Sequence, residues 1–299
     1  MMKNIMKDNQ WTAEGKYIII TGATSGIGLA AAKALAAKGA SLGIVARAEA
    51  KAKEAAVQIK AAGGGTVDVF LADMASQQSI RRVAADILAR CPKVDILINN
   101  AGAMFDTRKV TEDGIEMTWA VNHLAPFLLT SLLLDRLKES GEARVITTAS
   151  HGHKMARKGI RFDDPGAERI YSLLARTFGG ASIRYGETKL ANILFTSELG
   201  RRLEGTGVTA NCFDPGLVAT NFNQNNGVVA RATMAVFNRF ARTPEKGAET
   251  LVWLADSAEA SGYNGRYFAD QEVRVPSVPA QSIEAAQRLW EVSEQRLRR

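Results

Sequence analysis

Tyr185 and Lys189 stand four residues apart, a spacing that puts a phenol and an ammonium on one face of a helix, one turn from each other. A phenol ordinarily ionises near pH ~10, too high for easy proton exchange at neutral pH. A cation beside it stabilises the phenolate and lowers that pKa, so the pair is expected to form a proton-transfer group. Alone, a Tyr-x-x-x-Lys spacing arises by chance in many amphipathic helices. Two further side chains give it company. Ser150 follows an apolar run at 144–148 and is expected to hydrogen-bond a substrate carbonyl, while Asn122, in a helical pattern upstream, is suited to hold a water linking Lys189 to solvent. The chemistry predicted is proton transfer at an alcohol or carbonyl oxygen.

A second set of residues reads as a nucleotide site. Directly after the first apolar run comes Thr21-Gly22-Ala23-Thr24-Ser25-Gly26-Ile27-Gly28, and a helical pattern begins at once. A turn this tight needs residues tolerant of positive φ, and a missing Cβ lets the backbone approach a pyrophosphate at a helix N-terminus. Gly22, Thr24, Ser25, Gly26, Ile27 and Gly28 are therefore expected to contact a dinucleotide. The second apolar run ends Val45-Ala46-Arg47. Sites that take NAD usually carry an acid there. With no carboxylate at Ala46 and a guanidinium at Arg47 to pair with a 2′-phosphate, NADP(H) is expected in preference to NAD(H). Glu49 lies beyond the strand end and is expected to open the next helix.

The elements that must carry these groups alternate. Apolar runs at 17–20, 42–46, 67–71, 95–99, 144–148, 208–213 and 266–268 are separated by helical patterns at 29–37, 49–62, 76–90, 116–139, 185–203 and 244–255. Strands this apolar are covered on both faces, which predicts an α/β fold: a single Rossmann-type, doubly wound parallel sheet of about seven strands with helices on both faces. One domain is expected over 1–299, with a core at 13–270 and a C-terminal helix at 281–299. Two excursions, 151–183 and 222–242, leave the sheet on the edge where such folds bind ligands. The second holds Val228, Val229, Met234, Val236, Phe237 and Phe240 among Arg231, Arg239 and Arg242. That composition suits a packed surface helix, a substrate lid or an interfacial membrane contact. The lid reading, joined by Met104, Phe105 and Met155, predicts an apolar substrate.

Composition excludes several classes. A hydrophobic content of 46% and a charged content of 23% over 299 residues describe a globular chain, not a disordered one. The net charge of +7 is spread among acids rather than gathered into a block, so no nucleic-acid partner is expected. Cys91 and Cys212 lie far apart, which supports neither a disulfide framework nor zinc. His151 and His153 stand two apart without a third ligand nearby, so no metal is expected, and His123 is expected to pack within its helix. The first eleven residues are polar and no apolar run approaches the ~18 residues of a membrane span. A soluble, cytoplasmic protein is expected.

Together these motifs resemble the short-chain dehydrogenase/reductase family from about Lys16 to Phe268. Asn99-Asn100-Ala101-Gly102 is similar to the family's NNAG motif, and Asp73 in Leu71-Ala72-Asp73-Met74 matches its adenine-contacting acid. Asn122, Ser150, Tyr185 and Lys189 match its catalytic tetrad, and Asp214-Pro215-Gly216-Leu217-Val218-Ala219-Thr220 resembles the segment that lines the nicotinamide. The resemblance thus adds Asp73, Met74, Asn100, Ala101, Gly102, Pro215, Gly216, Val218, Thr220, Tyr185 and Lys189 as cofactor contacts. Asn122-His123-Leu124-Ala125-Pro126-Phe127 and Tyr185-Gly186-Glu187-Thr188-Lys189-Leu190-Ala191-Asn192 are most similar to the retinol-dehydrogenase-like branch. Many relatives carry two serines where this chain has Ala149-Ser150, so the catalytic serine depends on register. The resemblance implies hydride transfer between nicotinamide and a small-molecule alcohol or ketone, with Tyr185 as acid and base. It also implies a homodimer or homotetramer through the helices at 116–139 and 185–203. The apolar N-terminus of membrane-anchored relatives is absent, so membrane attachment is not expected. An epimerase or dehydratase on the same cofactor end is the alternative enzyme, although such enzymes usually have more chain than follows Phe268; an NADP-sensing protein is the non-enzymatic one.

Overall fold

Period two is visible in the first strand. In β1 (Tyr17–Thr21), Ile18 and Ile20 join one core cluster with Ala31, Leu35, Ile59 and Leu251, while Ile19 joins another with Ile80, Leu129 and Phe195. Burial on both faces is what makes such strands continuous apolar runs.

The computed structural model describes residues 11–172, 179–218 and 241–298. After β1 come α1 (Gly26–Ala37), β2 (Ser41–Ala46), α2 (Glu49–Ala61), β3 (Val67–Leu71), α3 (Gln77–Arg90), β4 (Ile96–Asn99), α4 (Met117–Trp119), α5 (Ala125–Glu139) and β5 (Ala143–Thr148). Then follow α6 (Gly180–Arg202), β6 (Val208–Asp214), α7 (Pro244–Asp256), β7 (Arg266–Ala269), β8 (Glu272–Val273) and α8 (Ile283–Leu297). The sheet order is β3-β2-β1-β4-β5-β6-β7-β8, parallel throughout except for the antiparallel β7–β8 pair. Strand order reverses at β1, so a crevice opens beyond the C-terminal ends of β1 and β4.

The sheet thus has eight strands instead of about seven. The extra strand is two residues long, and its hairpin turns through Asp270 and Gln271 at φ +53° and +64° without a glycine to announce it. The single helix expected at 116–139 is also interrupted. Residues Ala120–Leu124 form a π-helical turn between α4 and α5. Pro126 has no N–H to return to the carbonyl of Asn122, so the regular ladder cannot run through this point. The helix expected to open at Tyr185 begins five residues earlier, at Gly180, after Gly179 at φ +82°.

Residues Met117–Glu139 are long and apolar enough to cross a membrane, yet 72% of their apolar window is buried inside the protein. Core packing accounts for that apolarity. Helix α8 lies over this region: Trp290 meets Phe127 at 4.8 Å and Phe195 at 6.0 Å between ring centroids. His123 is fully buried and bonds Ser293 Oγ at 2.8 Å, as its expected packing role requires, and burial pushes its pKa down to about 3. The tail therefore covers part of the α5 and α6 surface that the oligomer expectation named.

Candidate active site

At the nucleotide end, Gly22 leaves β1 at φ +72°, and a Cβ there would lie 2.9 Å from the Cα of Ala101. The turn after β1 therefore sits directly on the segment after β4. Thr21 Oγ1 accepts from the N–H groups of Asn100 and Ala101 at 3.0 Å, and Asn100 Nδ2 donates to the carbonyls of Thr21 and Gly22 at 3.1 and 3.2 Å. Asn100 and Ala101 thus act as staples of the turn. A Cβ on Gly28 would run into the Gly22 carbonyl, so this glycine serves the turn's own packing. Ser25 caps α1 without a side-chain cap bond, and no acid stands in the first helical turn. The positive end of α1, with Thr24, Ser25 and Gly26, is left to an anion. Ile27 and Val218 meet over Gly247, whose missing Cβ would lie 3.3 and 2.5 Å from them.

Arg47 is exposed at the end of β2 and makes no hydrogen bond or ion pair among the described residues. Glu49 opens α2 and pairs with Lys53 at 2.7 Å, as expected of a helix-opening residue. Asp73, half-buried after β3, accepts from the Ala75 N–H at 2.9 Å, while its own N–H donates to Ser79 Oγ at 3.0 Å. Met74 packs partly against the core beside it.

The chemical end is assembled by β5, the π turn and α6. Lys189 Nζ donates to the Thr148 carbonyl at 2.9 Å, where Asn192 Nδ2 also donates at 3.1 Å. Asn122 is fully buried; its Oδ1 accepts from Ala103 N–H at 2.7 Å, and its Nδ2 donates to the Ala103 carbonyl and to Thr188 Oγ1 at 2.8 and 3.0 Å. Both amide protons are spent on these clamps, and Gly102 lies against Asn122 and Lys189. Ser150 bonds the Tyr185 side chain, and Ala149 is buried in the core.

Two glycines make that pairing possible. Ser150 caps a short 3-10 turn, His151–Met155, that lies on α6 beside Tyr185. A Cβ on Gly152 would stand 3.0 Å from Tyr185 Cε1, and one on Gly186 would stand 2.7 Å from the Gly152 carbonyl and 3.0 Å from Met155 Cβ. Gly186→Ala is expected to push the turn off the helix and to lower kcat on the order of 10²-fold, since small misplacements of reacting groups cost that much. Steady-state kinetics beside a melting curve checks it, and an unchanged kcat would show the contact to be dispensable.

Electrostatics here differ from expectation. Burial raises the Tyr185 pKa to about 12, opposed by the bond with Ser150 and assisted by the Asp214 carboxylate. Lys189 Nζ lies 5.7 Å from the phenol ring centroid and is directed at the Thr148 carbonyl. Burial pushes Lys189 down to about 8, against the pull of Asp214. Desolvation outweighs the neighbouring charge, and Tyr185 is held as a neutral phenol.

The contacts of Asp214, which opens the motif at 214–220, and of Arg184 are not legible in the spacing of motifs. Asp214 is buried; it accepts from the Gly216 N–H at 2.9 Å and from the Tyr267 hydroxyl at 3.2 Å, and lies 3.8 Å from the exposed His151. Arg184, next to Tyr185, is buried between Glu116 and Glu187 at 2.8 and 3.0 Å, with its guanidinium over Trp119. Breaking such a pair strands a buried charge, so this triad pins α6 to α4. His151 and His153 diverge, and no cluster that could hold a metal occurs among the described residues. Pro215 and Gly216 follow β6, with Gly216 at φ +75° against Arg242; Arg242 N–H donates to the Leu217 carbonyl at 2.8 Å and so closes the neck of the second excursion. Thr220 and the apolar residues expected to form a lid lie outside the described residues.

A doubly wound parallel sheet with these groups at the C-terminal strand ends defines a Rossmann-type oxidoreductase. A family profile described as short chain dehydrogenase matches residues 16–161. Human retinol dehydrogenase 14 is 40% identical over 94% of this chain and 85% of its own length. A crystal structure of an uncharacterized protein from Mycobacterium paratuberculosis superposes with a TM-score of 0.74 at 30% identity, covering 97% of this chain and 98% of that one. Another, from Beutenbergia cavernae, described as an NAD(P)-dependent gluconate 5-dehydrogenase with NADP at low occupancy, gives 0.68 at 26% identity over 87% and 96%. The chain belongs to the short-chain dehydrogenase/reductase family, in its retinol-dehydrogenase-like branch.

Proposed function

We propose that this chain is an NADP(H)-dependent oxidoreductase that interconverts an apolar alcohol and its carbonyl compound, with Tyr185 as the proton-transfer group. The observation that carries the reading is the Tyr185–Ser150 pair, held one helical turn from Lys189 on the same sheet edge as the uncapped, acid-free start of α1.

The residues present fit a dinucleotide. Ser25 leaves the α1 N–H groups unused, and Arg47 has no competing partner among the described residues. The bound nicotinamide would supply or take up hydride. In reduction, Tyr185 donates its proton to the forming alkoxide, and in oxidation it takes the proton back. Ser150 hydrogen-bonds the oxygen on which charge develops. Lys189 presents its ammonium at the end of β5, and Asn122 holds the Gly102–Ala103 backbone and Thr188 in place around it. Exposed Met155 and Leu217 beside the site, together with the retinol dehydrogenase names of its relatives, support an apolar substrate.

The test is NADPH consumption with a panel of apolar and polar ketones and aldehydes. Turnover concentrated among the apolar carbonyls is expected. Tight NADPH binding without turnover of any member would favour a sensing protein, and failure to bind a nicotinamide dinucleotide would end the proposal.

A further inference from the structure

His153 is fully buried three residues past the cap Ser150, and both of its ring nitrogens are engaged. The Ser277 N–H lies 3.1 Å from Nε2, so Nε2 must present a lone pair. In a neutral ring the proton then sits on Nδ1, which donates to the Ser150 carbonyl at 2.7 Å. The backbone N–H of His153 donates to that same carbonyl at 3.0 Å, and the Gly152 N–H donates to Ser150 Oγ at 3.1 Å. The ring also stands edge-on to Tyr267 at 5.3 Å, and the Tyr267 hydroxyl is itself tied to Asp214. Burial lowers the His153 pKa against the opposing pull of the Ser150 carbonyl and Asp214, which keeps the ring neutral and its tautomer fixed.

We infer that His153 is a positioning residue for Ser150: through Nδ1–H it locks the serine backbone so that Oγ faces Tyr185, and through Nε2 it ties this turn to the strap at Ser277. The inference rests on the reading that Ser150 takes part in turnover. Nothing else reaches the Ser150 carbonyl from a side chain among the hydrogen bonds of the described residues.

The two ring bonds are separable by substitution. His153→Asn places an amide nitrogen where Nδ1 stood and keeps the donor to Ser150, but gives up the bond from Ser277. His153→Gln places an amide oxygen where Nε2 stood and keeps the Ser277 bond, but gives up the donor to Ser150. Ser277→Pro deletes the N–H together with a hydroxyl that makes no hydrogen bond among the described residues, and the φ of −59° at Ser277 already suits proline. Ser277→Pro is expected to hold kcat within about threefold of the parent chain. His153→Gln is expected to lower kcat roughly 30- to 100-fold at an unchanged Kd for NADPH, and His153→Asn to recover most of that loss. Melting temperatures should fall similarly in the two histidine variants, so a purely structural role would lower their rates together. Equal rate losses in both, or an unimpaired His153→Gln, would overturn the assignment. Ser150→Ala run in parallel keeps the two claims apart. If it retains the parent rate, the reading of the serine fails; if it is inactive while His153→Gln is unimpaired, the histidine assignment alone fails.

Discussion

Tyr185→Phe is expected to lower kcat for carbonyl reduction by roughly 10²–10⁴-fold, the range a positioned general acid contributes, while NADPH affinity changes little. The ring stays where α6 and Gly152 hold it, because only the hydroxyl is lost and the close contact at Cε1 is untouched. Since burial holds the phenol at about 12 in this structure, it remains a proton donor across the accessible pH range. The pH limb of the parent chain should come from Lys189. Burial disfavours its charged form, so the ammonium is present below about 8 and is lost as pH rises through that value. Stopped-flow single turnovers across pH, with NADPH binding followed separately, check both statements. A phenylalanine variant near the parent rate would exclude the tyrosine mechanism, and a rate profile flat well above pH ~8 would remove the lysine charge from it.

Arg47→Ala should erase most of the discrimination between NADPH and NADH. A hydrogen bond to a charged group contributes about 1.5–3 kcal/mol, so kcat/KM with NADPH is expected to fall roughly 10- to 100-fold while the value with NADH holds. The substitution is a clean one: Arg47 is exposed and has no partner among the described residues, so folding loses nothing with it. Paired kinetics with both cofactors decide the matter. Equal efficiency in the parent chain would mean that the missing carboxylate at Ala46 carries no consequence.

What could be read without the structure was local. The β1–glycine–α1 unit is contiguous in sequence, and its apolar run, turn chemistry and helix all agree, so Gly22 and Ser25 stand where their types require. Tyr185 and Lys189 are likewise one turn apart on one helix. The less visible features depend on depth or on distant segments. The direction of the Tyr185 pKa shift follows from desolvation, which no spacing encodes. His153 meets Ser277 across 124 positions, and Glu116 meets Arg184 across 68. The π turn arises from Pro126 acting on a carbonyl four residues earlier, inside a pattern whose apolar periodicity looks unbroken. The second excursion remains an expectation, since most of it lies outside the described residues.

Helix α8 lays Trp290 over Phe127 and Phe195 and ties His123 through Ser293. An aromatic surface that would otherwise invite self-association is thereby satisfied from within one polypeptide. Shortening the chain before Ile283 would accordingly do more than trim an end: it would bare a sticky flank and trade a tail–body contact for contacts between molecules.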